Sequence, residues 1–319
     1  MFQIQAENQK IASKRRHQIL TSGLALTQRQ RVNYIVILGV LMMLQTMTTD
    51  LFLPSFPAIA DFYGVPDSSI QLTLGAITLG SAVGMLIAGP LSDSLGRRRP
   101  VLISVALFSV VTLSLFAAPN IEVFTALRFL QGLFSSAVAV LVSAIVRDLY
   151  SGQAMLKFLS RVFLVGAAAP VISPLLGSRI LLVGNWQLVP FLLTLIAVAV
   201  FILAYLSLSE TLHHLDRKDS GFQGMFGRFV AVARDRIYVG LLLMAVLQSI
   251  SLNGYLSVMP FLAQDGYGLT PIEFGLIFSF NAVCWFIGIQ VGAKLARMIP
   301  AQWVILGAFV LSIAAGVGL

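Results

Sequence analysis

Long apolar runs alternate with short polar breaks along this chain, at about 33–57, 69–90, 101–118, 123–146, 158–182, 187–208, 237–261, 272–293 and 302–319. A helix crossing the hydrocarbon core of a bilayer needs ~20 mostly apolar residues, and most of these runs supply that length. In lipid the backbone must satisfy its own hydrogen bonds, which leaves helices or closed barrels; continuous runs of this length predict helices. The expected architecture is all-α and membrane-embedded. It has a tail at 1–31, a six-helix N-terminal domain at 32–208, a polar linker at 209–236 and a three-span partial domain at 237–319.

Composition sharpens this picture: 58% of the 319 residues are apolar, 11% are charged, and mean hydropathy is +0.90. Most of the chain cannot be solvated by water, so a soluble fold is excluded. The net charge of +8 would suggest nucleic acid in a soluble protein, but here Lys and Arg are confined to alternate loops, so no nucleic-acid partner is expected. Arg97, Arg98, Arg99, Arg147, Lys157, Arg161, Lys294 and Arg297 fall on the side of the basic N-terminal tail. Asp61, Asp67, Glu122, Asp265 and Glu273 fall on the other, with Arg179 as the nearby cation. The positive-inside rule then places the N-terminus and the linker in the cytoplasm. Reporter fusions at His214 and at Asp265 are expected to read opposite compartments; one shared compartment would break this topology.

No cleavable signal is read, because about thirty largely polar residues precede a first run of full membrane length. Cys284 is the single cysteine and rules out an intrachain disulfide. Adjacent His213 and His214 point ~100° apart on a helix and have no third ligand at a suitable spacing, so no metal site or other cofactor is expected.

Setting residue n beside residue n+203 exposes a weak internal repeat. Gln45 meets Gln248, Asp50 meets Asn253, Pro57 meets Pro260 and Gly89 meets Gly292. The first span therefore corresponds to the seventh, as in transporters built from two six-helix halves.

The loop after the second run reads Gly89-Pro-Leu-Ser-Asp93-Ser-Leu-Gly96-Arg97-Arg98-Arg99-Pro100. Gly89 and Gly96 permit tight backbone geometry, Asp93 can cap a turn or pair with arginine, and the arginines hold the loop at the inner surface. This order resembles the signature loop of the major facilitator superfamily. Further segments resemble its bicyclomycin and chloramphenicol (Bcr/CflA) branch of drug:proton antiporters. They are Asp50-Leu-Phe-Leu-Pro54-Ser-Phe-Pro57, Arg128-Phe-Leu-Gln131-Gly132, Arg147-Asp148-Leu-Tyr150 and Ser173-Pro174-Leu-Leu-Gly177-Ser178.

The resemblance implies a major facilitator fold and proton-driven efflux of drugs or metabolites across a bacterial inner membrane by a monomer. Its partners would be a small-molecule substrate, protons and the lipid bilayer. It also implies twelve spans where nine are read, so the chain is expected to be a truncated member. An importer, a facilitator or an inactive fragment stays open beside efflux. A membrane enzyme or receptor is disfavoured: the histidines, His17, His213 and His214, all lie in the tail or linker, and no paired carboxylates stand at membrane depth.

Asp50 lies in an otherwise apolar span, where an ionised carboxylate is costly and marks a functional candidate. Arg128 is its expected partner. Asp50 precedes Pro57 by seven residues and Arg128 follows Glu122 by six, so both sit ~10 Å below the outer boundary. Burial favours the neutral acid and a nearby guanidinium favours the carboxylate, so a shift in either would move a proton; a static ion pair locking two helices is the alternative. Gln45, Thr46, Thr49, Gln131, Gln248, Asn253 and Asn281 are expected around a central cavity. Arg97 and Asp148 are expected to join Asp93 in the conformational loop.

Ala76, Gly80, Gly84 and Ala88, four residues apart, form a smooth face on the second span for close packing. The resemblance assigns its partner to an eleventh span. Pro170 and Pro174 are expected to kink the fifth span, with Gly166 and Gly177 flanking them, and the resemblance turns the kinked face toward the eighth span.

Overall fold

The computed structural model describes residues 27–212, 234–296 and 298–317. Most of the N-terminal tail, most of the linker with His213 and His214, and Arg297 lie outside the described residues. Among those described there are helices and no strands. Eight segments are long and apolar enough to cross a membrane, and a ninth apolar stretch, Gln302–Ala314, is shorter.

α1 (Gln28–Asp50) starts on Thr27, whose side chain accepts from the Gln30 amide while Gln30 reaches back, a reciprocal capping box. It stops at Asp50 because Pro54 has no N–H to offer the Asp50 carbonyl four residues back. The chain passes through a tight turn at Leu53–Ser55 and resumes as α2 (Phe56–Tyr63). Gly64, at φ 61, closes α2 in the left-handed region that favours glycine. The first span is therefore broken just beyond Asp50.

α3 (Asp67–Leu95), α4 (Arg98–Ser114) and α5 (Ile121–Leu149) follow; α5 is capped by Asn120, which accepts from the Val123 amide at 2.9 Å. α3 lies along α5 at backbone contact. A Cβ at Gly80 would run into the Phe129 carbonyl, one at Gly84 into the Leu133 carbonyl, and one at Gly132 into the Ile77 carbonyl. The smooth face of the second span is thus filled by the fourth, which corrects the expectation that it awaits an eleventh. The glycine and alanine spacing specified close approach but not the neighbour, and Gly132 on α5 supplies the matching recess.

The fifth span is two helices, α6 (Gly152–Gly166) and α7 (Ala169–Val183). The break falls just before Pro170, in the first turn of α7, where a missing N–H costs nothing. Pro174 sits inside α7. Gly177 lets α7 press on the break in the first span, since a Cβ there would meet the Leu51 carbonyl. It therefore packs within the N-terminal bundle, whereas the expected contact with the eighth span is made by its neighbours.

α8 (Leu188–Ser207) completes this bundle against α4 and α1. α9 (Arg236–Phe261), α10 (Pro271–Leu295) and α11 (Ala301–Val317) follow. α10 docks on α7: Ser279 donates to the Val171 carbonyl at 2.8 Å, and a Cβ at Gly275 would lie 2.9 Å from the Pro174 carbonyl. The two groups of helices also meet where Gln264 donates to the Pro54 carbonyl at 3.2 Å and the Phe56 and Phe261 rings approach to 6.3 Å.

Candidate functional site

Asp50 and Arg128 are both buried, at 7% and 0% exposure, yet no ion pair joins them. This corrects the expected pairing, and the geometry supplies the reason. At the end of α1 the Leu51 amide bonds to Met47 and the Phe52 amide to Thr49, which leaves the Thr48 carbonyl without a helical donor. Arg128 Nη1 donates to that carbonyl at 2.8 Å and to Gln131 Oε1 at 2.8 Å, and its guanidinium lies over the Phe52 ring, 4.2 Å from the centroid. The cation is drawn to the negative end of a helix, two residues short of the acid. The rival acceptor could not be seen before the helix was known to end there.

Arg128 Nε and Nη2 are buried and bond to nothing among the described residues. Asp50, two residues beyond the carbonyl that Arg128 holds, is a buried carboxyl that forms no ion pair with it.

Gln131 does not face open space. It is fully buried, and its amide donates to Thr112 at 3.0 Å, completing a chain from the Thr48 carbonyl through Arg128 to α4. Its place among cavity residues is therefore corrected to a brace that aims Arg128. Thr112, Thr48 and Phe52 were missed; nothing in their local sequence separates them from other buried residues. Gln45, Thr46 and Thr49 are half-buried on α1, and Gln248 is exposed on α9. Asn253 accepts from the Thr78 hydroxyl at 3.2 Å, tying α9 to α3, and Asn281 donates to the Tyr255 phenol at 2.9 Å.

A second polar centre gathers at the basic end of the bundle. Arg97 pairs with Asp93 at 2.7 Å and with Asp148 at 2.8 Å and also donates to Ser92. Burial pulls the Arg97 pKa down, but the hydrogen bonds it donates to Asp148 and Asp93 outweigh it and leave the group above the ordinary arginine value. Gly96, at φ 90, makes the turn that swings Arg97 back over α3. Gly89 has open space where a Cβ would stand. The structure thus brings Asp93, Gly96, Arg97 and Asp148 together, as their resemblance implied, while Gly89 lies in α3 two turns away from the loop. Among the described residues no group of histidine, cysteine and acidic side chains has metal-binding geometry.

Comparison with known proteins adds four findings. Residues 38–319 match the Major Facilitator Superfamily. A Bacillus subtilis (strain 168) protein described as an uncharacterized MFS-type transporter, YdgK, is 36% identical over 259 residues, which is 81% of this chain and 64% of the relative. A bicyclomycin resistance protein homolog of Haemophilus influenzae is 28% identical over 275 residues, covering 86% of this chain and 69% of the relative. Among solved structures, a bacterial homolog of the human lysosomal transporter Spinster, inward-facing and unoccupied, superposes with a TM-score of 0.70. It covers 87% of this chain and 64% of that one at 15% identity, a likeness of fold alone. The chain spans about two thirds of the length of these relatives.

Proposed function

The chain belongs to the Major Facilitator Superfamily, and from that premise we propose that it serves proton-coupled efflux of small molecules across a bacterial inner membrane. The observation that carries this reading is a buried Asp50 carboxyl that forms no ion pair among the described residues, two positions beyond the Thr48 carbonyl that holds an Arg128 guanidinium with two unused donors. An acid so placed takes a proton when the arginine is turned away and releases it when the arginine turns toward it, because desolvation favours the neutral form and a neighbouring cation the charged one. A substrate entering near the acid competes for the same carboxylate. Exchange of substrate against proton is the result, and no further cofactor is needed to drive it.

Resistance proteins among the relatives support a drug-like substrate. A bicyclomycin resistance homolog stands beside a chloramphenicol resistance protein, CraA, from Acinetobacter baumannii at 26% identity. The basic loops support a cytoplasmic N-terminus. Everted vesicles carrying the intact protein test the reading. An inward-acid gradient should drive chloramphenicol accumulation, and collapsing the gradient with an uncoupler should stop it. Accumulation indifferent to the uncoupler would remove proton coupling.

Arg97 is the hinge of the loop in this account, held between Asp93 on α3 and Asp148 on α5. Asp93→Asn is expected to lower turnover several-fold while leaving substrate affinity unchanged. Asp148→Asn should cost more, because the Asp148 side chain is 16% exposed against 47% for Asp93, and a less solvated charge-assisted bond is the stronger one. Steady-state kinetics in the same vesicles separate the two effects; a rise in KM without a fall in turnover would place the loop in substrate binding instead.

A further inference from the structure

α4 begins in an electrostatically awkward way. Arg97 stands at its N-cap and Arg98 and Arg99 are its first residues, it has no acidic residue in its first turn, and no side chain of its own caps it. The positive end of the helix dipole therefore faces three cations, and its first amides lack local acceptors. The missing carboxylate arrives from 113 residues further along the chain: Glu210 Oε1 accepts from the Arg97 amide at 2.7 Å and Oε2 from the Arg98 amide at 3.3 Å. The neighbours of Glu210 grip the same end of the bundle. Ser209 bonds to the Tyr34 phenol on α1, and the Thr211 hydroxyl donates to Asp148 Oδ2 at 3.2 Å. Arg98 adds a bond to the Tyr205 carbonyl at 2.7 Å and lies over the Tyr205 ring. Three consecutive residues at the start of the linker thus hold α1, α4 and α5, and one of them shares the carboxylate that holds Arg97.

We propose that Glu210, flanked by Ser209 and Thr211, clasps the start of the linker to the Arg97 loop and positions Arg97 for the movement of the two helix groups. This rests on the transport reading above, in which those groups move. Oε1 also accepts from the Thr211 and Leu212 amides, each at 3.1 Å, so one carboxylate orders both the linker's first turn and the helix it caps. A pull on the linker beyond Leu212 then reaches Arg97 through Glu210 at its backbone and through Thr211 and Asp148 at its side chain.

Residue-resolved hydrogen exchange on the intact protein in lipid nanodiscs reads the clasp directly. In Glu210→Gln, the Arg97 and Arg98 amides should exchange at least about fivefold faster than in the parent, and Glu210→Asp should restore part of the protection. Positioning is read at a distance, by the alkylation rate of Thr78→Cys, where α3 meets α9, in a Cys284→Ser background. Glu210→Gln should change that rate, and Thr211→Val should change it in the same direction by less. Unchanged exchange at Arg97 and Arg98 would overturn the clasp. Faster exchange with an unchanged alkylation rate would reduce Glu210 to a helix cap and overturn its positioning role. Should Glu210→Gln fail to fold, Thr211→Val decides, since an unshifted rate there overturns the proposal. Neither readout uses a proton gradient, so a failure of proton-driven transport leaves this test standing.

Discussion

Asp50→Asn should reduce proton-driven chloramphenicol accumulation in everted vesicles to the level of vesicles lacking the protein, with equilibrium binding of this neutral compound preserved. The amide keeps the size and hydrogen-bonding capacity of the acid but cannot carry a proton, so only the coupled step is lost. Arg128→Ala should be as inactive for a different reason. It removes the cation with which the acid trades, and it leaves the Thr48 carbonyl and the Gln131 oxygen, now served at 2.8 Å, without their donor in a buried site. Such unsatisfied groups cost about 1–3 kcal/mol each, so Arg128→Ala should also lower thermal stability, whereas Asp50→Asn should not. A variant that lost transport and binding together at Asp50 would indicate a structural acid.

Gly80→Ala should destabilise the protein by about 3 kcal/mol or more, measured by denaturant unfolding in mixed micelles. The added methyl would collide with the Phe129 carbonyl, and a backbone atom cannot rotate aside as a side chain can. Gly75→Ala on the same helix is the control, because nothing lies within 4 Å of its missing Cβ. There alanine should stabilise slightly through helix propensity. Equal effects at the two positions would mean that α3 and α5 do not meet at Gly80. The contact matters for function because α5 carries both Arg128 and Asp148, and α3 carries Asp93.

What the sequence made legible follows from how local each signal is. The spans and the basic loops are properties of consecutive residues, and the helices of the structure fall where the apolar runs lie. Asp50 and Arg128 stand out because any ionisable group in such a run does. The Asp93, Arg97 and Asp148 cluster was legible through its resemblance to a known loop.

The rest depends on contacts between distant segments or on where a helix ends. The first span reads as one continuous run; that Pro54 ends its helix and leaves a bare Thr48 carbonyl, which captures Arg128, emerges only once the helix terminus and α5 are side by side. The fifth span reads as one kinked run and is two helices, since nothing in Ala167-Ala168 marks a break apart from the proline that follows. Small residues at Gly80 and Gly84 announced close packing with no address on it. Glu210 looked like one more solvated charge in a polar linker; its acceptor role depends on the uncapped start of α4, more than a hundred residues earlier. Gly275 and Ser279 on α10 carried no signal of their own, yet they make the contact with α7.

Substrate-induced proton release tests the central claim most directly. The intact, detergent-solubilised protein in weakly buffered solution is mixed with tetraphenylphosphonium, a lipophilic cation that would compete for a carboxylate, and the pH is followed with an indicator dye. Protons should be released by the parent in proportion to bound cation, and none by Asp50→Asn. Release from Asp50→Asn equal to that of the parent would contradict the account and move the coupling site elsewhere in the chain.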